Sequence, residues 1–150
     1  MNKQIHYMQI ALKEAKKAAL LDEVPVGCVI VKDGVVLAKA HNKKEKKQNA
    51  TAHAEIEAIA KASKKLNNWY LDGCDVYVTL EPCPMCAGAI LNSRIERLVF
   101  GAFDPKGGAA GTIVNLLEDA RFNHKVEIIS GVLEEDCKEI LQSFFKSLRK

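Results

Sequence analysis

The chain has 150 residues, 48% of them hydrophobic and 27% charged, with a net charge of +3 at pH 7. That apolar content supports a packed core and excludes a disordered chain, while the mild positive balance permits contact with a polyanion without demanding one. The length predicts one domain, residues 1–150, and no apolar run approaches the roughly 18 residues that would span a membrane.

Residues from about Lys3 to Leu21 carry helical spacing, with Ile5, Met8, Leu12, Ala15 and Ala19 set against Lys13, Lys16 and Lys17. Asp22-Glu23-Val24-Pro25 ends that helix. Val26 to Lys32 is a mostly β-branched run, Asp33-Gly34 is a two-residue hairpin signal, and Val35 to about Ala40 pairs back as a second strand. From Asn42 to Ala50 the chain is polar and gathers Lys43, Lys44, Lys46 and Lys47. This run reads as a solvated loop or, since it stands just ahead of His53, as a loop that meets phosphates.

His53 to about Lys65 has helical spacing through Ile56, Ile59 and Ala60, and Lys64-Lys65 suits a helix C-terminus. Asn67-Asn68-Trp69-Tyr70 is a turn. Cys74 to Leu80 alternates as a third strand, Met85 to Asn92 is a helix, and Ile95 to Phe100 is a fourth strand. Gly101 to Gly111 is glycine-rich and carries Asp104 and Lys106, with a short helical piece expected at Ile113–Leu117. Val126 to Ile129 is a fifth strand, and Glu134 to Leu148 a closing helix with Leu133, Cys137, Ile140, Leu141 and Phe144 as its apolar stripe. The order predicts an α/β chain with a five-stranded mixed sheet, partly parallel through right-handed β-α-β crossovers. Ligands bind such sheets outside the carboxyl ends of the strands, here at the Leu80–Cys83 junction.

That junction carries the chemistry. In Pro82-Cys83-Pro84-Met85-Cys86 the first proline favours an extended Glu81. Pro84 suits the first helical position, which puts Cys83 near the N-cap and Cys86 one turn in. Thiolates there meet orphan N–H groups and the positive end of a helix dipole. His53 is the natural third ligand, and three protein ligands leave the open position of a catalytic zinc. Two of the five cysteines thus have a better role than a disulfide, while Cys28 and Cys137 sit in apolar patterns as small hydrophobes. With no signal peptide ahead of the first helix, the simplest setting is a reducing cytoplasm.

His53-Ala54-Glu55 with Pro82-Cys83-x-x-Cys86 matches the His-x-Glu and Pro-Cys-x-x-Cys signature of the zinc nucleobase deaminases. Glu55 is not needed to complete the site. It would take a proton from a zinc-activated water and deliver it to a ring nitrogen and the departing amine, as hydrolysis of an aromatic amidine requires. Alone, such a glutamate would be a helix-start residue that stabilises the dipole; two places after a zinc histidine it reads as the proton shuttle. A fourth, structural ligand is the competing possibility. Cys74 cannot reach, since an extended run to Glu81 spans about 23 Å at roughly 3.3 Å per residue. Cys28 lies within a strand, His6 and His124 lack partner ligands, and His41 stays open as a fourth ligand.

The likeness extends beyond the two motifs. Val24-Pro25-Val26-Gly27, Thr51 to Glu55, Val78 to Ile90, Ser93-Arg94-Ile95, Phe100-Gly101-Ala102, Gly108-Ala109-Ala110-Gly111 and Asn123 to Ile128 resemble the bacterial tRNA-specific adenosine deaminases, from about Val24 to Phe145. The resemblance implies a three-layer α/β/α cytidine-deaminase-like fold with helices on both faces of the sheet. It also implies one zinc ion per subunit, a homodimer, and conversion of adenosine to inosine at the wobble position of a tRNA anticodon stem-loop, with attack at C6. On the same ground Asn42, Val26, Ala54, Asp104, Lys106 and Phe145 would bind the substrate, with Phe144 close by. Asn49-Ala50 stands where Asp-Pro is common in the family, and Phe103 where a polar or basic residue is frequent. An unpaired loop base reaches a buried zinc at less cost than a duplex base, and the Lys43–Lys47 run with Lys146, Arg149 and Lys150 would meet phosphates. The alternatives are a free-base or nucleoside deaminase for guanine or cytosine, and a silent RNA-binding subunit that keeps its zinc.

Overall fold

The computed structural model describes residues 2–148, so Arg149 and Lys150 lie outside the described residues. Within them the chain runs α1 (Lys3–Leu20), β1 (Gly27–Lys32), β2 (Val35–His41), α2 (Lys44–Lys47), α3 (Ala54–Leu66), β3 (Cys74–Leu80), α4 (Pro84–Asn92), β4 (Arg97–Ala102), β5 (Glu127–Ile129) and α5 (Glu134–Leu148). The strands form one sheet in the order β2-β1-β3-β4-β5. β1 is antiparallel to both β2 and β3, and β3, β4 and β5 are mutually parallel, giving the expected mixed sheet. Asp33 and Gly34, both at positive φ, close the β1–β2 hairpin in the primed geometry that strand twist prefers.

Alternation along the strands divides the core in two. Cys28 and Ile30 of β1, Val76 and Val78 of β3, and Leu98 and Phe100 of β4 pack against α3 and α4. Val29, Val31, Tyr77 and Val99 point the other way, onto α1 and α5. The result is three layers, helices on both faces of the sheet. α1 lies very close to β1: a Cβ on Gly27 would sit 1.9 Å from the Ala11 carbonyl oxygen.

Three boundaries differ from the sequence pattern, each for a traceable reason. The Ile113–Leu117 piece is not a helix, because its amides bond to distant loop groups instead of to the preceding turn. Ile113 N–H donates to Gly108 O, Leu116 N–H to Ala109 O, and Thr112 N–H to the Glu81 carboxylate. β4 begins at Arg97 and not at Ile95, since Arg94 at φ 61° turns the chain and Ile95 donates back to Ile90 O beneath α4. The polar lysine run holds the one-turn helix α2, whose Glu45 and Lys46 amides donate to the buried carboxylate of Glu23 at 2.9 and 2.7 Å.

Candidate metal centre

Two helix N-termini meet beyond the carboxyl end of β3. Cys83 is the N-cap of α4, with extended backbone (φ −75°, ψ 174°) and Pro84 at the start of the helix, where a missing N–H has no consequence. His53 is the N-cap of α3, also extended (φ −72°, ψ 158°). Neither side chain caps its own helix, so both are free for a third partner.

His53 Nδ1 lies 3.7 Å from Cys83 Sγ and 3.5 Å from Cys86 Sγ, and the three ligand atoms all fall within 4.8 Å of one another. A tetrahedral ion with bonds of about 2.3 Å to sulfur and about 2.0 Å to nitrogen would set the N···S edge at about 3.5 Å. The donors already stand at coordination spacing, and two sulfurs with an imidazole suit a borderline-soft divalent ion. Among the described residues this cluster comprises these three side chains alone. His41, the open candidate for a fourth ligand, instead places its Nδ1 3.0 Å from the Asn42 carbonyl oxygen, and His124 Nε2 lies 2.9 Å from Ile95 O.

Cys83 and Cys86 are drawn apart in acidity by their mutual contact. The Cys86 thiol, as donor, holds Cys83 down to about 4 and is itself raised by the same contact. The Cys83 thiolate in turn raises His53. A divalent metal would take the place of those protons, since it binds both sulfurs as thiolates and the imidazole in its neutral form. Glu55, on the first turn of α3, is 4% exposed, and burial pushes its carboxyl up to about 7.

A cleft of about 210 Å³ opens over the cluster, smaller than the roughly 300–1,000 Å³ of pockets for drug-sized ligands. His53, Cys83 and Glu55 line it, and so do Asn42, Val26, Ala54 and Asp104. Asn42 is held in place: its Oδ1 accepts the Lys44 N–H at 3.0 Å and its Nδ2 donates to Val24 O at 3.3 Å. One amide hydrogen and acceptor capacity remain for a ligand. Lys106 is exposed and Phe145 is 42% exposed on α5; neither lines the cleft. Of the lysine run, Lys44 reaches the cleft while Lys47 pairs with Glu57 at 2.7 Å.

Two buried carboxylates carry more than the sequence pattern assigns to them. Glu23 anchors α2, and Glu81 anchors the loop that bears Asp104. The available signal was a charged residue inside an apolar stretch, Val-Thr-Leu-Glu-Pro for Glu81, where a buried glutamate needs partners.

Comparison with known proteins agrees with this geometry. The model of the MafB19-like deaminases matches residues 1–149. A tRNA-specific adenosine deaminase of Bacillus subtilis (strain 168) is 57% identical over 144 residues, 96% of this chain and 89% of the relative. One of Aquifex aeolicus (strain VF5) is 47% identical over 144 residues, covering 96% and 95%. A solved structure from studies of A-to-I editing by tRNA:A34 deaminases superposes with a TM-score of 0.88 at 46% identity, covering 91% of this chain and 99% of that one. A guanine deaminase from Nitrosomonas europaea shares the fold, with a TM-score of 0.84 at 21% identity. With both motifs brought together in space and this likeness over nearly its whole length, the chain belongs to the MafB19-like deaminases and, among them, to the tRNA-specific adenosine deaminases.

Proposed function

We propose that this protein hydrolyses adenosine to inosine at the wobble position of a tRNA anticodon, using one zinc ion held by His53, Cys83 and Cys86 and Glu55 as the proton carrier. The observation that carries this reading is a carboxylate buried in the same cleft as a His/Cys/Cys cluster and absent from that cluster. Zinc, when bound, supplies a water of lowered pKa at the position its three protein ligands leave open.

Glu55 would take a proton from the attacking water and pass it to N1 of the adenine ring as the oxygen adds to C6. It would then take the proton of the hydroxyl now on C6 and deliver it to the exocyclic nitrogen, so that the oxygen becomes the carbonyl of inosine, the C6–N6 bond breaks and ammonia leaves. Asn42 is pre-set to hydrogen-bond the base, and Val26 and Ala54 form apolar walls of the cleft. Asp104 sits at its rim, while Lys106 and Phe145, outside it, would meet neighbouring nucleotides. An unpaired anticodon base suits a small cleft better than a base pair does.

The same reading includes a homodimer and one domain in the cytoplasm. Exposed apolar side chains such as Trp69, Ile113 and Val114 would find cover in a dimer, and Cys28, Cys74 and Cys137, buried and without a disulfide, suit a reducing compartment. No helix among the described residues is long and apolar enough to cross a membrane.

The test is conversion of an anticodon stem-loop by zinc-loaded protein. Adenosine at the wobble position should become inosine, with free adenine, cytidine and guanine largely untouched. Glu55→Ala should keep its zinc and lose about 10²–10⁴-fold in turnover. Turnover of a free base in place of the stem-loop, or an active Glu55→Ala, would sink the proposal.

A further inference from the structure

Glu81 closes β3, two residues ahead of Cys83, and is 2% exposed. Its Oε1 accepts the backbone N–H of Asp104 at 3.1 Å and the Thr112 hydroxyl. Its Oε2 accepts the backbone N–H groups of Ala110 and Thr112 at 3.0 and 3.1 Å. Four donors on two oxygens fill the acceptor positions of a carboxylate, and all four come from one loop. The adjoining residue extends the seam, since Pro82 O accepts the Ala109 N–H at 2.8 Å.

Gly108 shows how tightly that loop is drawn down. A Cβ there would lie 2.3 Å from Glu81 Oε1, so the backbone crosses the carboxylate with no room for a side chain. Asp104, fixed through its own N–H, uses its Oδ1 to hold the Lys106 and Gly107 amides at 3.0 and 3.1 Å. A chain of hydrogen bonds thus leads from the strand end beside the metal ligands, through Asp104 at the cleft rim, to exposed Lys106.

We propose that Glu81 is a positioning residue: it holds the Asp104–Thr112 loop as a wall of the cleft and so sets affinity for the nucleotides beside the target base. This rests on the tRNA reading above and deepens it. The role demands a carboxylate and not merely its volume. Each oxygen takes two hydrogens, so Glu81→Gln, nearly identical in shape, must turn an NH₂ group onto two donors whichever way the amide is flipped. Glu81→Asp keeps the acceptors but withdraws them by one methylene.

The experiment compares wild type, Glu81→Gln, Glu81→Asp and Thr112→Val. It reads zinc per chain, amide hydrogen exchange at Asp104, Ala110 and Thr112, and kcat and KM on an anticodon stem-loop. Glu81→Gln should keep its zinc, lose protection at those three amides, and raise KM about tenfold or more with kcat little changed. Glu81→Asp should recover part of the KM. Unchanged exchange, an unchanged KM, or a loss confined to kcat overturns the proposal. Should Glu81→Gln fail to fold, Thr112→Val decides: a raised KM with zinc retained supports the role, and an unchanged KM overturns it. A wild type inactive on the stem-loop would count against the tRNA reading, whereas the exchange data would still report whether Glu81 holds the loop.

Discussion

Cys83 and Cys86 are set by one turn of α4, but His53 reaches them from α3, 30 residues earlier in the chain. The imidazole is therefore the member of the cluster that joins two helices, and its loss should separate metal binding from folding. His53→Ala is expected to keep a folded circular-dichroism spectrum yet lose its zinc to a chelator that leaves wild type loaded, with turnover of the stem-loop gone. Retained zinc at wild-type affinity would remove His53 from the ligand set. These residues were legible in the sequence because their spacing dictates geometry: a proline fixes where α4 starts, and a helix fixes where Cys86 points relative to Cys83. Glu55 stands out in the sequence as the second residue after His53, and the structure adds that it is buried and lines the cleft. Glu81 was not legible in its role, because its partners lie 23 to 31 residues downstream in a loop with no periodic pattern. Its apolar neighbours in Val-Thr-Leu-Glu-Pro hint that the carboxylate is buried, but nothing local to Glu81 says what fills its acceptors. His41 illustrates the opposite case: spacing left it open, and its place outside the cluster of ligand atoms closes the question.

At the scale of elements, what positions the site is the tight seating of helices on the sheet. Gly27 starts β1 where α1 crosses it, and its N–H donates to Thr79 Oγ1 at 3.1 Å on β3. A methyl group there would meet the Ala11 carbonyl oxygen at 1.9 Å and the Ala15 nitrogen at 2.6 Å, both rigid helix backbone. Gly27→Ala must push α1 off the sheet and should cost about 1–3 kcal/mol or more, read as a lower urea midpoint with an unchanged slope. An unchanged midpoint would show that α1 shifts without penalty. Glu23 does for α2 what Glu81 does for the loop across the cleft. Glu23→Gln puts an NH₂ group onto one of the α2 amides and should cost about 1–3 kcal/mol locally, seen as faster hydrogen exchange at Glu45 and Lys46. Protection equal to wild type would mean that α2 stands without its anchor. Elements with strong period, α1, α3, β3 and α5, were readable from sequence to within a residue or two. The Ile113–Leu117 segment misleads because its apolar residues mimic a helix face while its amides are already committed to the loop that Glu81 organises.

For the whole molecule, the question is whether the metal builds the fold or only occupies it. His53, Cys83 and Cys86 bring the N-termini of α3 and α4 together within one helical layer. The other layer, α1 and α5 on Val29, Val31, Tyr77 and Val99, has its own apolar contacts and no part in the site. Ile90 and Ala87 of α4 and Ala58 and Ala62 of α3 are fully buried on the sheet beyond the cluster, so neither helix depends on the metal for its packing. This predicts a folded apoprotein of lower stability, unlike a zinc finger that unfolds without its ion. Free zinc at about 1,000 times its Kd adds about 4 kcal/mol of stability by mass action. At roughly 2–4 °C per kcal/mol for a chain of this size, chelation should lower Tm by roughly 8–16 °C with a single cooperative transition kept. The measurement is calorimetry of the zinc-loaded and chelated protein at one protein concentration. An apoprotein with no transition would make the ion part of the fold, and an unmoved Tm would mean that the His53, Cys83 and Cys86 cluster holds no metal in solution.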